Sequence, residues 1–306
     1  MNRRSFLGSA ATAVLAGSAS MPNSNAAEKK QQNKAVISLL QSQYASGPAT
    51  ANPFHPQFKT QDLKRTIRQN IDTICSLLQQ AGERKSDIAC TTEDITGLYP
   101  CMMDLDHPER FTDHCQTIPG PLTDELGAIA KKFSMMIIAC FFEKDAHGCY
   151  NTAVLIAPDG RLVGKYRKHD LGHELPRNTP GTECPAFDTP FGKVGLMICA
   201  DRRNPAWVRQ IVANGAEILL CPSGGMWGPV KNDHHLQARS RENGVPIVFV
   251  HPIEFLVTDA TGEILDVRLT GHVMDVDRAG IDSPQDSRQI AIFDLLEENY
   301  FYPEGA

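Results

Sequence analysis

The 306-residue sequence lacks several features that would assign it to a familiar class of protein. Its nine cysteines include no Cys-x-x-Cys pair, and their odd number argues against a disulfide framework as well as a zinc ribbon. No long basic run follows residue 4, and the formal net charge is -6, which argues against a nucleic-acid-binding surface. No internal repeat is visible. The remaining composition, 42% hydrophobic and 22% charged, is typical of one globular α/β domain, although the length alone would also permit two.

The N-terminus has the pattern of an export signal. Two arginines at positions 3 and 4 precede a small-residue apolar stretch at 8–18, and a small-x-small cleavage site lies at 24–26. Residues 1–26 are therefore predicted to be a signal of the twin-arginine type, with an uncleaved tether as the alternative. The stretch is too short and too rich in Ala and Gly for a membrane span. We expect an exported, periplasmic protein that has no stable membrane span after cleavage and begins with a linker at 27–34.

Apolar residues recur with the periods of helices and strands in alternation. A spacing of three and four residues from Leu63 to Leu78 predicts a helix that Thr60 caps and Gly82 ends. Residues 97–121, rich in Pro, His and Met, are predicted to form a long loop near a mouth or lid. The other predicted helices lie at 126–133, 206–214 and 233–243, and the predicted strands at 35–40, 88–92, 135–142, 152–156, 162–166, 193–198, 217–221, 246–250, 255–258 and 264–267. This alternation, with hairpins interspersed, predicts an α/β layered fold with mixed sheets.

Cys199 stands where a nucleophilic thiol would stand, between the apolar run 194–198 and a polar turn. Glu93 and Lys168 each follow another predicted strand, so the three side chains can meet at one edge of a sheet. A carboxylate can accept the thiol proton, and an ammonium group can stabilise an oxyanion. Each residue alone also has an ordinary interpretation, because a cysteine that ends a strand is more often a core thiol. Three cysteines in apolar runs are predicted to be inert core thiols: Cys75, Cys90 and Cys140.

Five segments, in order along the chain, resemble motifs of the nitrilase (carbon–nitrogen hydrolase) superfamily. Residues 92–97 resemble its first glutamate motif, residues 164–168 its lysine motif, and residues 191–201 its nucleophile strand. Two later segments, 215–223 and 238–244, match in the expected order. The resemblance extends over roughly residues 35–295, which defines the expected hydrolase domain and leaves 296–306 as a C-terminal tail.

The resemblance implies a fold, a set of roles and an assembly. The fold would be a four-layer α-β-β-α sandwich that pairs through its sheets into a homodimer or larger homo-oligomer. Glu93 would be the general base, Cys199 the nucleophile and Lys168 the oxyanion stabiliser. Glu174 takes the place of a second glutamate that orients the lysine and the substrate, and the Ala200 N–H would be a second oxyanion donor. No metal and no other cofactor is expected.

The chain departs from the family pattern around the expected substrate pocket. Asp170 stands where a histidine is usual, Ala206 where a glutamate is usual, and His251 where an asparagine is frequent. Met226 and Trp227, which follow a Gly-Gly pair, are the predicted pocket walls, with ordinary loop packing as the equal alternative.

These features predict a hydrolase that cleaves the non-peptide C–N bond of a small-molecule amide or N-carbamoyl compound through a cysteine thioester. A nitrilase acting on a nitrile, and a catalytically silent envelope protein that binds a ligand, are the alternatives. A metallohydrolase would use His169, His173 and Glu174, whose spacing suits zinc only on a helix, and Gly172 disfavours a helix there. A papain-like Cys–His pair lacks its flanking signature.

Overall fold

Two six-stranded mixed sheets lie at the centre of the structure. The computed structural model describes residues 35–40 and 47–269 and the backbone of three strands at 272–275, 280–282 and 290–294. The predicted signal, linker and C-terminal tail (1–26, 27–34 and 296–306) lie outside the described residues. In chain order the elements are β1 Val36–Leu40, α1 Thr60–Glu83, β2 Ile88–Thr91, α2 Tyr99–Met103, α3 Glu109–Thr112, α4 Pro121–Phe133, β3 Met136–Asp145, β4 Gly148–Ile156, β5 Leu162–Arg167, β6 Ala186–Thr189, β7 Gly192–Leu196, α5 Pro205–Ala213, β8 Ile218–Pro222, α6 His234–Asn243, β9 Ile247–Val250, β10 Glu254–Thr258, β11 Ile264–Leu269, β12 His272–Asp275, β13 Gly280–Asp282 and β14 Ile290–Asp294.

The two sheets repeat one topology. The first has the strand order β14-β1-β2-β3-β4-β5 and the second β6-β7-β8-β9-β10-β11. In both, neighbouring strands pair antiparallel, parallel, parallel, antiparallel and antiparallel in that order. Helices α1 and α4 occupy the crossovers of the first sheet, and α5 and α6 those of the second. This repeat is one of connectivity, which explains why inspection of the sequence shows none.

Alternation along the strands separates two cores. In β3, Met136 and Ile138 join a buried cluster that includes Leu196 of the second sheet, whereas Ile137 and Ala139 join a cluster with α1 and α4. The sheets therefore face each other, and helices cover the outer face of each. The prediction of a four-layer α-β-β-α sandwich with mixed sheets is confirmed.

Helix α1 follows its predicted pattern except at its start. The predicted apolar stripe is buried, and each such Leu or Ile contributes roughly 1.5–3 kcal/mol relative to exposure: Leu63, Ile67, Ile71, Ile74 and Leu78. The prediction that Thr60 caps the helix is wrong. Thr60 is the first helical residue, and Lys59, which precedes it, accepts the amide N–H groups of Asp62 and Leu63 at its carbonyl without a side-chain cap. Among the described helices, α1 included, none combines the length and apolarity needed to cross a bilayer.

The segment 97–121 is not the continuous loop that was predicted. It contains the short helices α2 and α3, and α4 already begins at its end, at Pro121. The Asp94 carboxylate accepts the Tyr99 N–H at 2.7 Å and so satisfies a donor in the first turn of α2. Pro100 in that turn loses no helical hydrogen bond. The Pro and His residues of this segment therefore lie at helix starts as well as in turns.

All nine cysteines are free. Burial raises the pKa of Cys75 to about 12 and raises the pKa values of Cys90 and Cys140 well above the usual range. The prediction that these three lie in the core is confirmed. Since the thiolate is the reactive form, their raised pKa values favour inertness, which stays a prediction.

Candidate active site

Three strand ends bring Glu93, Lys168 and Cys199 together. Glu93 follows β2 and Lys168 follows β5 in the first sheet, whereas Cys199 follows β7 in the second. All three are buried, with 8%, 3% and 7% of their surface exposed. Lys168 Nζ donates to Glu93 Oε1 at 2.7 Å, and the Cys199 thiol lies within hydrogen-bonding reach of the Glu93 carboxylate. The Glu93 N–H donates to the Ser223 carbonyl at 3.2 Å, so a backbone hydrogen bond joins the sheets beside these side chains.

Glu174 belongs to the same cluster. It ends a 3₁₀ turn, Gly172–Glu174, and its side chain is buried. Its Oε1 accepts a hydrogen bond from Lys168 Nζ. The Lys168 ammonium group therefore lies between two carboxylates, Glu93 and Glu174, and has a fixed direction.

Two asparagines that sequence reasoning missed hold these carboxylates. Asn151 Nδ2 donates to Glu93 Oε1 at 2.7 Å and to Glu174 Oε2 at 3.0 Å. Asn178 Nδ2 donates to Glu174 Oε2 at 3.1 Å. The signal for Asn151 was present, because an amide in the middle of the buried strand β4 requires a polar partner. Asn178 lies outside regular structure, and no local pattern marked it.

The charges of the cluster stabilise one another. Burial alone would raise the pKa of Glu93, but the Lys168 charge and hydrogen bonds from Lys168, Asn151 and Cys199 hold that pKa below its usual value. Burial alone would lower the pKa of Lys168, but the negative charges of Glu93, Cys199 and Glu174 hold it well above its usual value. At neutral pH the pair is therefore a carboxylate and an ammonium group. Such a carboxylate is able to accept a proton from the neighbouring thiol.

Cys199 has a backbone conformation that is unusual for its residue type. Its φ is +46°, in the left-handed region that costs a non-glycine residue of order 1–3 kcal/mol. It opens a 3₁₀ helical turn, Cys199–Arg203, directly after the extended backbone of Ile198. The sharp change of direction places the thiol beside Glu93.

A glycine pair beyond β8 makes room for the reacting groups. A Cβ atom on Gly224 would lie 3.3 Å from Glu93 Oε2, and one on Gly225 would lie 3.1 Å from Cys199 Sγ. Any side chain at these positions would press on the carboxylate or on the sulfur. The pair therefore forms a side-chain-free wall of the site.

Asp201 connects the turn after β5 with the turn after β7. Its buried carboxylate accepts hydrogen bonds from Tyr166 Oη at 2.6 Å and from the Ile198 N–H at 2.9 Å. It also accepts the N–H groups of His169 at 3.1 Å and Asp170 at 2.7 Å. One charged group thus holds the turns that carry the lysine and the cysteine. Sequence reasoning assigned Asp201 no role.

The predicted pocket residues follow the glycine pair. Met226 has 37% of its surface exposed, and its carbonyl accepts a hydrogen bond from Arg202 Nη2 at 2.7 Å. Trp227 is half-buried against the core, with its ring 6.4 Å from the His251 ring. Both lie on the segment that continues from Gly225, and contact with a substrate stays a prediction for both.

Tyr99, at the start of α2, is a further residue of the site that the sequence did not reveal. Its hydroxyl group hydrogen-bonds His173 Nε2 at 2.7 Å. Burial and the negative charges of Glu174 and Glu93 raise the pKa of this phenol. With 39% of its surface exposed, Tyr99 lies between the buried carboxylates and solvent.

The histidines of the metal-site alternative have separate partners. His169 stacks on Trp207 with 3.6 Å between ring centres, and its Nδ1 hydrogen-bonds the Gly181 carbonyl at 2.9 Å. His173 hydrogen-bonds Tyr99 instead. Across the described part of the chain, no group of three His, Cys, Asp or Glu side chains is arranged to hold a metal ion.

Comparisons with known proteins agree with this architecture. The family model for carbon-nitrogen hydrolases matches residues 55–292. Omega-amidase NIT2 from Bos taurus is 29% identical over 197 residues, which cover 60% of this chain and 69% of that protein. A citrullinase from Francisella tularensis is 31% identical over 51% of this chain and 56% of its own. A beta-ureidopropionase from Arabidopsis thaliana is 29% identical over 64% of this chain and 48% of its own.

Solved structures share the fold. A carbon-nitrogen hydrolase from Helicobacter pylori G27 superposes with a TM-score of 0.62 at 24% identity, covering 78% of this chain and 86% of that chain. An amidase from Nesterenkonia sp. superposes with a TM-score of 0.60 at 20% identity, covering 78% and 88%. At these identities the likeness concerns the arrangement of sheets and helices.

Proposed function

Because the chain belongs to the carbon–nitrogen hydrolase family, we propose that it hydrolyses the C–N bond of a linear amide or an N-carbamoyl compound through a thioester on Cys199. One observation carries the proposal: the Glu93 carboxylate is hydrogen-bonded to Lys168 at 2.7 Å and lies within hydrogen-bonding reach of the Cys199 thiol. The amidase, citrullinase and ureidopropionase names of its relatives support this substrate class.

The reaction follows from the chemistry of these groups. Glu93 takes the thiol proton, and the sulfur of Cys199 attacks the carbonyl carbon. Lys168 and the Ala200 N–H donate to the oxyanion that forms, since Ala200 lies in the first helical turn, where N–H groups lack partners within the helix. The proton on Glu93 passes to the leaving nitrogen, and ammonia or an amine departs. Glu93 then takes a proton from water, and the hydroxide attacks the thioester carbonyl. The C–S bond breaks, the acid leaves, and the Cys199 thiolate takes the proton back from Glu93.

Glu174 acts on Lys168. Its carboxylate fixes the ammonium group from the side opposite Glu93 and, with Asn178, keeps the donor aimed. Asn151 donates hydrogen bonds to the carboxylates of Glu93 and Glu174 and so fixes the distance between them. Met226 and Trp227 form one wall of the substrate pocket.

The test is ammonia release from a panel of amides, N-carbamoyl compounds and nitriles by protein that lacks residues 1–26. Cys199→Ala abolishes turnover of the best substrate, whereas Cys75→Ala, which removes a buried thiol of α1, retains it. Glu93→Gln keeps the shape of the site but has no proton acceptor, and we expect a loss of kcat of about 10²–10⁴-fold. Lys168→Met removes one oxyanion donor and costs at least about 10²-fold.

Intact mass spectrometry after substrate addition should show an acyl adduct that maps to Cys199. Turnover by Cys199→Ala equal to that of the wild type would sink the assignment. Preference for nitriles over every amide would move the protein to the nitrilase activity, and a folded protein that turns over nothing would favour a ligand-binding role.

We propose also that residues 1–26 direct export and are removed. The arginines at positions 3 and 4 and the small residues at 24–26 support this. Fractionation of expressing bacteria should place the shortened protein in the periplasm. Replacing both arginines by lysine should retain the full-length protein in the cytoplasm, and unaltered export of that variant would contradict the proposal.

The family resemblance further supports a homodimer or larger homo-oligomer. Light scattering coupled to size-exclusion chromatography of the shortened protein measures its mass directly. A monomer at micromolar concentration would contradict this assembly.

A further inference from the structure

Arg202 is a buried cation without a carboxylate partner among the described residues. Its side chain is fully enclosed, and Nη2 donates to the Met226 carbonyl at 2.7 Å. Nε and Nη1 are buried with no hydrogen-bond partner in the described part of the protein. The guanidinium carbon lies 5.4 Å from the centre of the Phe249 ring. Since burial of an unpaired charge is costly, this arrangement requires a reason other than stability.

The sulfur of Cys199 is a reactive group close to Arg202. Arg202 stands three residues after Cys199 in the same 3₁₀ turn, where side chains at that spacing lie one above the other. Burial lowers the pKa of its guanidinium group, but the Cys199 sulfur is first among the groups that together raise that pKa above its usual value. Two residues that follow β8 contact the guanidinium group and the sulfur. The Met226 carbonyl accepts a hydrogen bond from Arg202 Nη2, and Gly225 lies against Cys199 Sγ.

The charge count around the thiol favours a second cation. Glu93 and Glu174 carry two negative charges and Lys168 carries one positive charge, which leaves -1 beside Cys199. Proton transfer from Cys199 to Glu93 leaves this total at -1 but places a negative charge on the sulfur, and Arg202 brings the total to zero. Proton transfer from Cys199 to Glu93 moves negative charge toward the guanidinium group, which stays protonated at every relevant pH.

We propose that Arg202 is a catalytic residue that stabilises the Cys199 thiolate by a charge-assisted hydrogen bond. The proposal rests on the assignment of Cys199 as the nucleophile in the proposed function. In this step the S–H bond breaks, the proton passes to Glu93, and the electron pair stays on Sγ, where it accepts the guanidinium N–H. No other reactant takes part.

Other titratable and charged groups surround this pair and are the same in every variant compared. Burial lowers the pKa values of His235 and His251 to about 4 and raises that of Cys221 to about 12, so these three stay neutral near pH 7. Burial raises the pKa of Asp233, and its neighbour Glu254 has a pKa raised to about 7. Charged groups that also lie around the pair are Glu93, Glu174, Lys168, Arg239 and Asp201, and burial raises the pKa of Asp201.

The experiment measures how fast iodoacetamide alkylates Cys199 between pH 5 and pH 10, with the Cys199 peptide quantified by mass spectrometry. Only the thiolate reacts, so the midpoint of the profile reports its formation. Arg202→Met should move the midpoint up by at least about one pH unit, a tenfold loss of thiolate at lower pH. Arg202→Lys, which keeps the charge, should fall between that variant and the wild type.

Arg203→Met is the matched control, because Arg203 is the next residue, is 39% exposed and faces Asp170 at 3.7 Å. It should keep the wild-type midpoint. Arg202→Gln provides a second neutral variant if Arg202→Met does not fold, as judged by thermal melting. An unchanged midpoint in either folded neutral variant, or an equal shift in Arg203→Met, overturns the role of Arg202. Substrate turnover does not enter this measurement, so failure of the proposed function is a separate result.

Discussion

His251 should make the protein sensitive to mild acid, and His251→Asn should remove that sensitivity. The imidazole follows β9 and is almost fully enclosed. The Ile253 N–H donates to its Nδ1 at 3.1 Å, so Nε2 carries the hydrogen that is donated to the Gly225 carbonyl at 2.7 Å. A proton on Nδ1 would eliminate the acceptor for Ile253. Burial, reinforced by the Arg202 charge, lowers the pKa of His251 from 6.5 to about 4.

The size of the effect follows from proton linkage. Above pH 7 the imidazole is neutral in both the folded and the unfolded chain, and His251 adds no pH dependence. Between pH 6.5 and pH 4 the unfolded chain binds a proton that the folded protein excludes, so stability falls as the pH falls. At pH 5 these two pKa values correspond to about 2 kcal/mol of lost stability.

Urea unfolding at pH 7.5 and pH 5.0 measures this directly. The wild type should lose about 2 kcal/mol more between these pH values than His251→Asn does. Asparagine retains an N–H donor for the Gly225 carbonyl. Any loss of packing lowers the stability of the variant at both pH values and therefore cancels in the difference between them. His147→Asn, which alters an exposed histidine, should behave as the wild type does. Equal losses in wild type and His251→Asn would refute the reasoning.

Three further predictions concern single groups. Asp201→Asn places an amide N–H₂ against backbone and hydroxyl donors, and the free energy of unfolding in urea should fall by about 2–4 kcal/mol. Gly225→Ala puts a Cβ atom 3.1 Å from Cys199 Sγ, so kcat/KM should fall at least about tenfold while the melting temperature changes little. Burial raises the pKa of Glu254 to about 7, so the folded protein keeps a proton that the unfolded chain releases, and stability should decline from pH 5 to pH 8. In Glu254→Gln that decline, measured by urea unfolding, should be smaller by roughly 2 kcal/mol.

Periodicity and order of motifs predicted the parts of the molecule that depend on local patterns. The helix around Ile71 and the strand before Cys199 have regular apolar spacing and end at polar residues. Glu93 and Lys168 could be selected because each follows such a strand. The four-layer arrangement was predicted from the family resemblance. The order of strands within each sheet was not predicted, because the sequence of one strand does not indicate which strands it pairs with.

The supporting residues of the site escaped prediction because their partners are distant in sequence. Asn151 bonds carboxylates 58 and 23 residues away, and nothing near it in the chain indicates either. In the sequence, Arg202 and Arg203 form one polar turn and cannot be told apart. The fold shows that Arg202 is enclosed and Arg203 is exposed. Thr60 lies one residue inside the helix, and a sequence pattern does not fix a helix end to a single residue.

The hydrogen bond from Glu93 to Ser223 has a consequence for motion. Glu93 follows a strand of one sheet and Cys199 a strand of the other, so in the proposed reaction the proton passes from one half of the sandwich to the other. Transfer requires a separation near 3 Å, and a fluctuation that parts the sheets by a fraction of their spacing interrupts it. The buried apolar cluster between the sheets, to which Ile138 and Leu196 belong, opposes such a separation. Deuterium exchange at the Glu93 amide, which donates from one sheet to the other, therefore measures how often the sheets part.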